Sequence, residues 1–79
     1  MTNLEKYNRV FMEVFSVSEK AFDQEFSNQT IKGWDSIKQL SLITSLEDEF
    51  DIMFDTEDIV AFSSYSVGKT ILKKYDVMI

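Results

Sequence analysis

Apolar residues recur at helical spacing in two long stretches of the chain. Leu4, Tyr7, Val10, Phe11, Val14 and Phe15 fall on one face of a helix. Thr2-x-x-Glu5 ahead of them spells a capping box, so a first helix is predicted over about Asn3 to Phe15, with Lys6, Arg9 and Glu13 outside. The second stretch follows Gly33, whose backbone is free to turn sharply. Asp35 and Ser36 both carry short side-chain oxygens that accept from the unpaired N–H groups of a helix's first turn. Gln39, three residues after Ser36, completes a second capping-box spelling and sets a helix over about Ser36 to Phe50.

That second helix is apolar on two sides. At about 100° per residue, Gln39, Leu42, Ile43, Leu46 and Phe50 gather in one sector, the predicted core face. Ile37, Leu40, Ser41, Thr44 and Asp48 gather opposite. Two adjoining hydrophobes rimmed by acids fit a docking patch better than scattered surface residues.

Between these helices, residues 16–35 show no sustained period. A loop of that length in a small domain is often functional. Ser18-Glu19-Lys20-Ala21-Phe22 can form one helical turn, and Phe22, Phe26 and Ile31 can pin the loop over the bundle. Trp34 is expected to pack at its base. After Phe50, Asp51 to Asp55 is a linker with buried Ile52 and Phe54. Thr56 then offers a cap for a short helix over about Glu57 to Phe62, whose Glu57 and Asp58 suit the positive end of its dipole. Ser66 is the expected cap of a last helix, about Val67 to Tyr75, with Val67, Ile71, Tyr75 and Met78 as its stripe and Lys73 and Lys74 in its last turn. Gly68 within it either weakens the helix or allows close contact. No repeat or domain boundary interrupts the pattern. The expectation is one all-α domain over residues 1–79, a small four-helix bundle with a long first loop and a short third helix.

Composition changes the picture in two ways. With 79 residues and no cysteine, neither disulfide nor thiolate-bound zinc can staple the fold, and packing must carry it. Seven Phe, three Tyr and one Trp supply the bulk for that. The formal charge of −6 disfavours nucleic acid and anionic lipid and favours partners presenting Lys and Arg. No apolar run nears the roughly 20 residues that span a bilayer, and Thr2-Asn3-Leu4-Glu5 is polar where a secretory leader is not. A cytoplasmic monomer without membrane insertion is expected.

Ser36 is the residue with candidate chemistry. As a catalytic nucleophile it lacks a base, because the chain has no histidine and Lys38, two residues on, does not face it along a helix. The acids from Glu47 to Asp58 do not make a calcium loop, since they lack the glycine at its sharp turn; no metal site is expected.

Asp35-Ser36-Ile37, followed by Leu40, Leu42, Ile43, Leu46 and Glu47-Asp48-Glu49-Phe50, resembles the acyl carrier protein family in its Trp-Asp-Ser variant. Phe50-Asp51-Ile52 ahead of a short acidic helix, a Ser/Thr-rich loop and a final apolar helix extend the likeness from about Leu4 to Tyr75. The resemblance implies a protein that is not an enzyme. Ser36, flanked by Asp35, would carry 4′-phosphopantetheine derived from coenzyme A and hold acyl groups on it as thioesters. The implied partners are a phosphopantetheinyl transferase and acyl-loading, acyl-transfer or synthase enzymes with basic docking patches. Candidate contacts for them are Ile37, Leu40, Thr44, Glu47, Asp48, Glu57 and Asp58; Lys38 departs from the family's tendency to place an acid there. Leu46, Ile59, Phe62 and Ile71 would border an acyl pocket, although Phe62 and Phe54 are bulky for that purpose. A peptidyl or aminoacyl carrier differs only in its cargo. An acidic helical adaptor that is never modified is the alternative of another class.

Overall fold

In the computed structural model, which describes all of residues 1–79, four helices and no strand build the chain. Helix α1 spans Asn3–Phe15. Its capping box forms as the sequence implies: Thr2 Oγ1 accepts from the Glu5 N–H at 3.1 Å, and the Thr2 N–H donates to Glu5 Oε1 at 2.9 Å. The helix ends where Ser16 enters the left-handed region at φ 56°. Its buried side chains are Tyr7, Val10 and Phe11, and it packs chiefly on helix α2, Ser36–Phe50. Leu42, Ile43 and Leu46 are the buried residues of α2, on the predicted core face.

Phe11 sits at the centre of the core. Its fully buried ring has Tyr7, Phe15, Phe22, Phe26, Trp34, Phe62 and Tyr65 at centroid separations of 4.9 to 6.2 Å. Aromatic pairs in tilted and edge-to-face arrangements add to the area they bury. The long connection between α1 and α2 is therefore anchored rather than loose. It holds one 3₁₀ turn, Glu19–Asp23, and contributes Phe22, Phe26 and Trp34 to this cluster. Backbone bonds tie it to the far end of the chain as well. Asn28 N–H donates to Ser63 O and Tyr65 N–H to Phe26 O, both at 2.9 Å, around a single bridge between Ser27 and Ser64.

The two C-terminal helices exist but begin earlier than their hydroxyl residues suggest. Helix α3 is Thr56–Ala61, with Asp55 rather than Thr56 at the cap position. Helix α4 is Tyr65–Lys73 and is capped by Ser64, not Ser66: Ser64 Oγ accepts from the Val67 N–H at 3.0 Å. The backbone bonds from the long loop hold Ser63 and Tyr65 in place, and this selects Ser64 from three nearby serines. The buried residues of α4 are accordingly Gly68, Ile71 and Leu72, while Val67 and Met78 are exposed and Val77 is buried instead. Tyr7, on α1, donates its hydroxyl proton to Tyr65 O at 2.6 Å, and the Tyr65 hydroxyl donates to Asn8 Oδ1. Burial pushes the Tyr7 phenol far above its ordinary range, so this bond persists across the working pH range.

Candidate functional site

The start of α2 decides what Ser36 can do. Asp35 is the capping residue: its Oδ1 accepts from the Lys38 N–H at 2.9 Å, and its carbonyl accepts from the Gln39 N–H at 2.9 Å. Ser36 is the first residue inside the helix and is exposed. The capping box expected from Ser36 and Gln39 therefore does not form, because the aspartate one residue earlier already takes the first-turn donor. The serine hydroxyl is left free of capping duty at the positive end of a fifteen-residue helix.

Beside it lies an open recess of about 510 Å³, lined by Asn28, Trp34, Asp35, Ser36, Gln39 and Leu40. Trp34 is largely buried, with its ring 4.9 Å from Phe15 and 6.1 Å from Phe11, as expected of a residue packing the base of the loop. Its indole N–H donates to Gln39 Oε1 at 2.5 Å. Gln39 in turn donates from Nε2 to Ile59 O at 2.8 Å and Phe62 O at 2.9 Å. Sequence reasoning missed this bridge. It placed Gln39 on the core face, yet the carbonyls that it meets lie 20 and 23 residues away.

The exposed face of α2 carries Ile37 at 75% and Leu40 at 63% exposure, with Thr44 and Asp48 beyond them. Glu57 is exposed at the start of α3. Val60 and Met53, at 80% and 82%, are further exposed hydrophobes that the sequence did not single out. Glu47 is half-buried, and its Oε2 accepts from the Phe54 N–H at 2.9 Å. Lys38 does not interrupt the acidic surface in the way its position suggests. Its ammonium donates to Val14 O at 2.9 Å, in the last turn of α1, where a cation is stabilising.

Asp58 must be withdrawn from the docking residues. It is only 5% exposed, and its carboxylate accepts from Lys74 Nζ at 2.7 Å and from the Tyr75 hydroxyl at 2.5 Å. Tyr75 also accepts from the Asp55 N–H at 2.8 Å, so the group clasps the start of α3 to the end of α4. The bond from Lys74, then that from Tyr75, holds the Asp58 carboxyl below the usual carboxylate range, and Asp58 raises Lys74. A depressed carboxyl contributes stability above its unfolded value of about 3.9 and loses it as pH falls through the lower folded value. The raised Lys74 contributes below its unfolded value of about 10.4 and loses it as pH rises through the higher folded value. Asp58→Asn should thus be less stable than the parent at neutral pH, with the gap closing in acid. Denaturant unfolding at neutral pH and at about pH 3 measures this; an equal gap at both would refute it.

The expected acyl pocket is absent from the structure. Leu46, Phe62 and Ile71 are buried in the core, Ile59 packs against it, and none of the four borders any recess. The bulk of Phe62 and Phe54, whose rings lie 6.2 Å apart, fills that space.

No protein-family model matches the chain, and no curated protein is significantly similar to it in sequence. Among solved structures it is similar to one from Mycobacterium tuberculosis, described as "a putative acyl carrier protein", with a TM-score of 0.73 and 26% identity over 94% of this chain and 99% of that one. The architecture is that of an acyl carrier helical bundle, and the likeness supports a carrier rather than an enzyme.

Proposed function

We propose that this protein is an acyl carrier that receives a 4′-phosphopantetheine arm on Ser36 and delivers acyl groups to partner enzymes. The observation that carries the reading is the exposed Ser36 hydroxyl, freed from capping by Asp35 and set at the mouth of α2 beside an open recess. The residues present fit the arm. In loading, Ser36 Oγ would pass its proton to a base on the transferase and bond to the pantetheine-side phosphorus of coenzyme A, with the pyrophosphate bond broken and 3′,5′-ADP released. The N–H groups of Ser36 and Ile37 have no carbonyl within the helix to bond, and with the helix dipole they favour the anionic diester. Once attached, the arm supplies the thiol on which acyl groups ride as thioesters.

The protein's own part is presentation. Ile37 and Leu40 offer apolar contact close to Ser36, and Asp48 and Glu57 supply acidic charge for basic patches on a phosphopantetheinyl transferase and on acyl-loading, acyl-transfer or synthase enzymes. A small contact of this kind dissociates readily, as a carrier that visits several enzymes requires. Thr44 and the half-buried Glu47 lie at its edge.

Incubation with coenzyme A and a broad-range phosphopantetheinyl transferase tests the reading by intact mass. One phosphopantetheine should be gained, and Ser36→Ala should gain none while melting within about 0.5 kcal/mol of the parent stability. An unchanged parent mass would instead favour an unmodified acidic adaptor.

A further inference from the structure

One side chain of α2 bridges by hydrogen bonds to the end of α3. Gln39 spends both amide protons on the C-terminal carbonyls of α3, at Ile59 and Phe62, and its oxygen on the Trp34 indole. Behind this bridge Leu46 and Phe62 are almost wholly buried, and no recess opens among them. An acyl chain entering between the helices must therefore break two amide–carbonyl bonds and take from the Trp34 N–H its acceptor. Half-buried polar groups stripped of their partners add to the cost of that entry.

The geometry points to Gln39 as a latch that bars cargo from the helical core, so that cargo stays outside the fold. The cargo class that suits this arrangement is short or polar acyl groups, which gain little from burial. The cargo assignment rests on the carrier reading of Ser36; the latch does not.

The experiment compares the protein loaded from acetyl-, hexanoyl- and decanoyl-coenzyme A. Its readouts are the unfolding midpoint in denaturant and the rate of thioester cleavage by hydroxylamine. A sequestered chain would favour the folded state by roughly fourfold for each buried methylene, with slower cleavage as length grows. For the parent, both readouts should be independent of length. In Gln39→Ala and Gln39→Met the decanoyl form should become the more stable and the slower to cleave. Length dependence in the parent would overturn the proposal, and so would length independence in both variants.

A second arm needs no transferase. The chain has no cysteine, so Ser36→Cys can be coupled to alkyl thiosulfonates of rising length, alone and with Gln39→Met. The same pattern of unfolding midpoints is expected, and the same results would overturn the latch. Failure of the carrier reading shows separately, as an unchanged mass in the first arm.

Discussion

Phe11→Ala should remove a large share of the protein's stability and lower its melting temperature steeply. The Phe11 ring is fully buried among the rings of α1, the long loop, α3's end and α4, and it touches all of them. Truncation of a buried phenylalanine costs about 3–5 kcal/mol through lost transfer energy and the cavity left behind. A domain of this size holds roughly 4–12 kcal/mol in total, and this one has no disulfide in reserve. The upper end of the cost should apply here, because the surrounding rings are rigid and cannot collapse into the void. Thermal unfolding by near-ultraviolet dichroism measures it. Phe11→Leu, which keeps most of the volume, should lose far less. Equal melting temperatures for Phe11→Ala and the parent would show that the aromatic cluster is not what holds the loop.

Gly68→Ala should also destabilise strongly, against the intrinsic preference. In an exposed helix the change gains about 1 kcal/mol. At position 68 the new Cβ would sit 2.3 Å from Phe62 Cζ, 2.3 Å from the Tyr7 hydroxyl and 2.7 Å from Phe62 Cε1. Neither neighbour can yield. Phe62 and Tyr7 are both fully buried, and the Tyr7 hydroxyl is held to Tyr65 O. Overpacking of this kind typically costs about 1–3 kcal/mol, and the contact here is severe enough to reach the top of that range. For so small a domain each kcal/mol lowers the melting temperature by about 4–8 °C, so a fall on the order of 10 °C or more is expected. A rise would mean that the Phe62 and Tyr7 rings are not seated against α4. Gly33, by contrast, has no neighbour in reach, and substitution there should be far milder.

The two long helices were legible in the sequence because their signals are local. Thr2 and Glu5 cap α1 within one turn, and the apolar periods of α1 and α2 run for three turns or more. The exposure of Ile37 and Leu40 followed from the same wheel that placed Leu42, Ile43 and Leu46 inside. The starts of α3 and α4 were not legible. Ser63, Ser64 and Ser66 are equivalent as caps on paper, and only the backbone bonds from Phe26 and Asn28 choose among them. Long-range polar contacts were equally hidden. Asp58 reads as a solvated acid in a first turn until Lys74 and Tyr75 are brought to it, and Gln39 reads as a cap until the end of α3 meets its amide. The same limit explains the missing acyl pocket, since a list of apolar positions does not say whether the space between them is filled.

The most direct measurement is to locate the added mass. The protein is loaded with coenzyme A by the transferase, digested and fragmented. A single phosphopantetheine is expected on the peptide containing Ser36, assigned by fragment ions to that residue and accepting one acyl group through its thiol. A phosphopantetheine found on Ser41 or Ser45 instead, or on no residue at all, would contradict the assignment to Ser36.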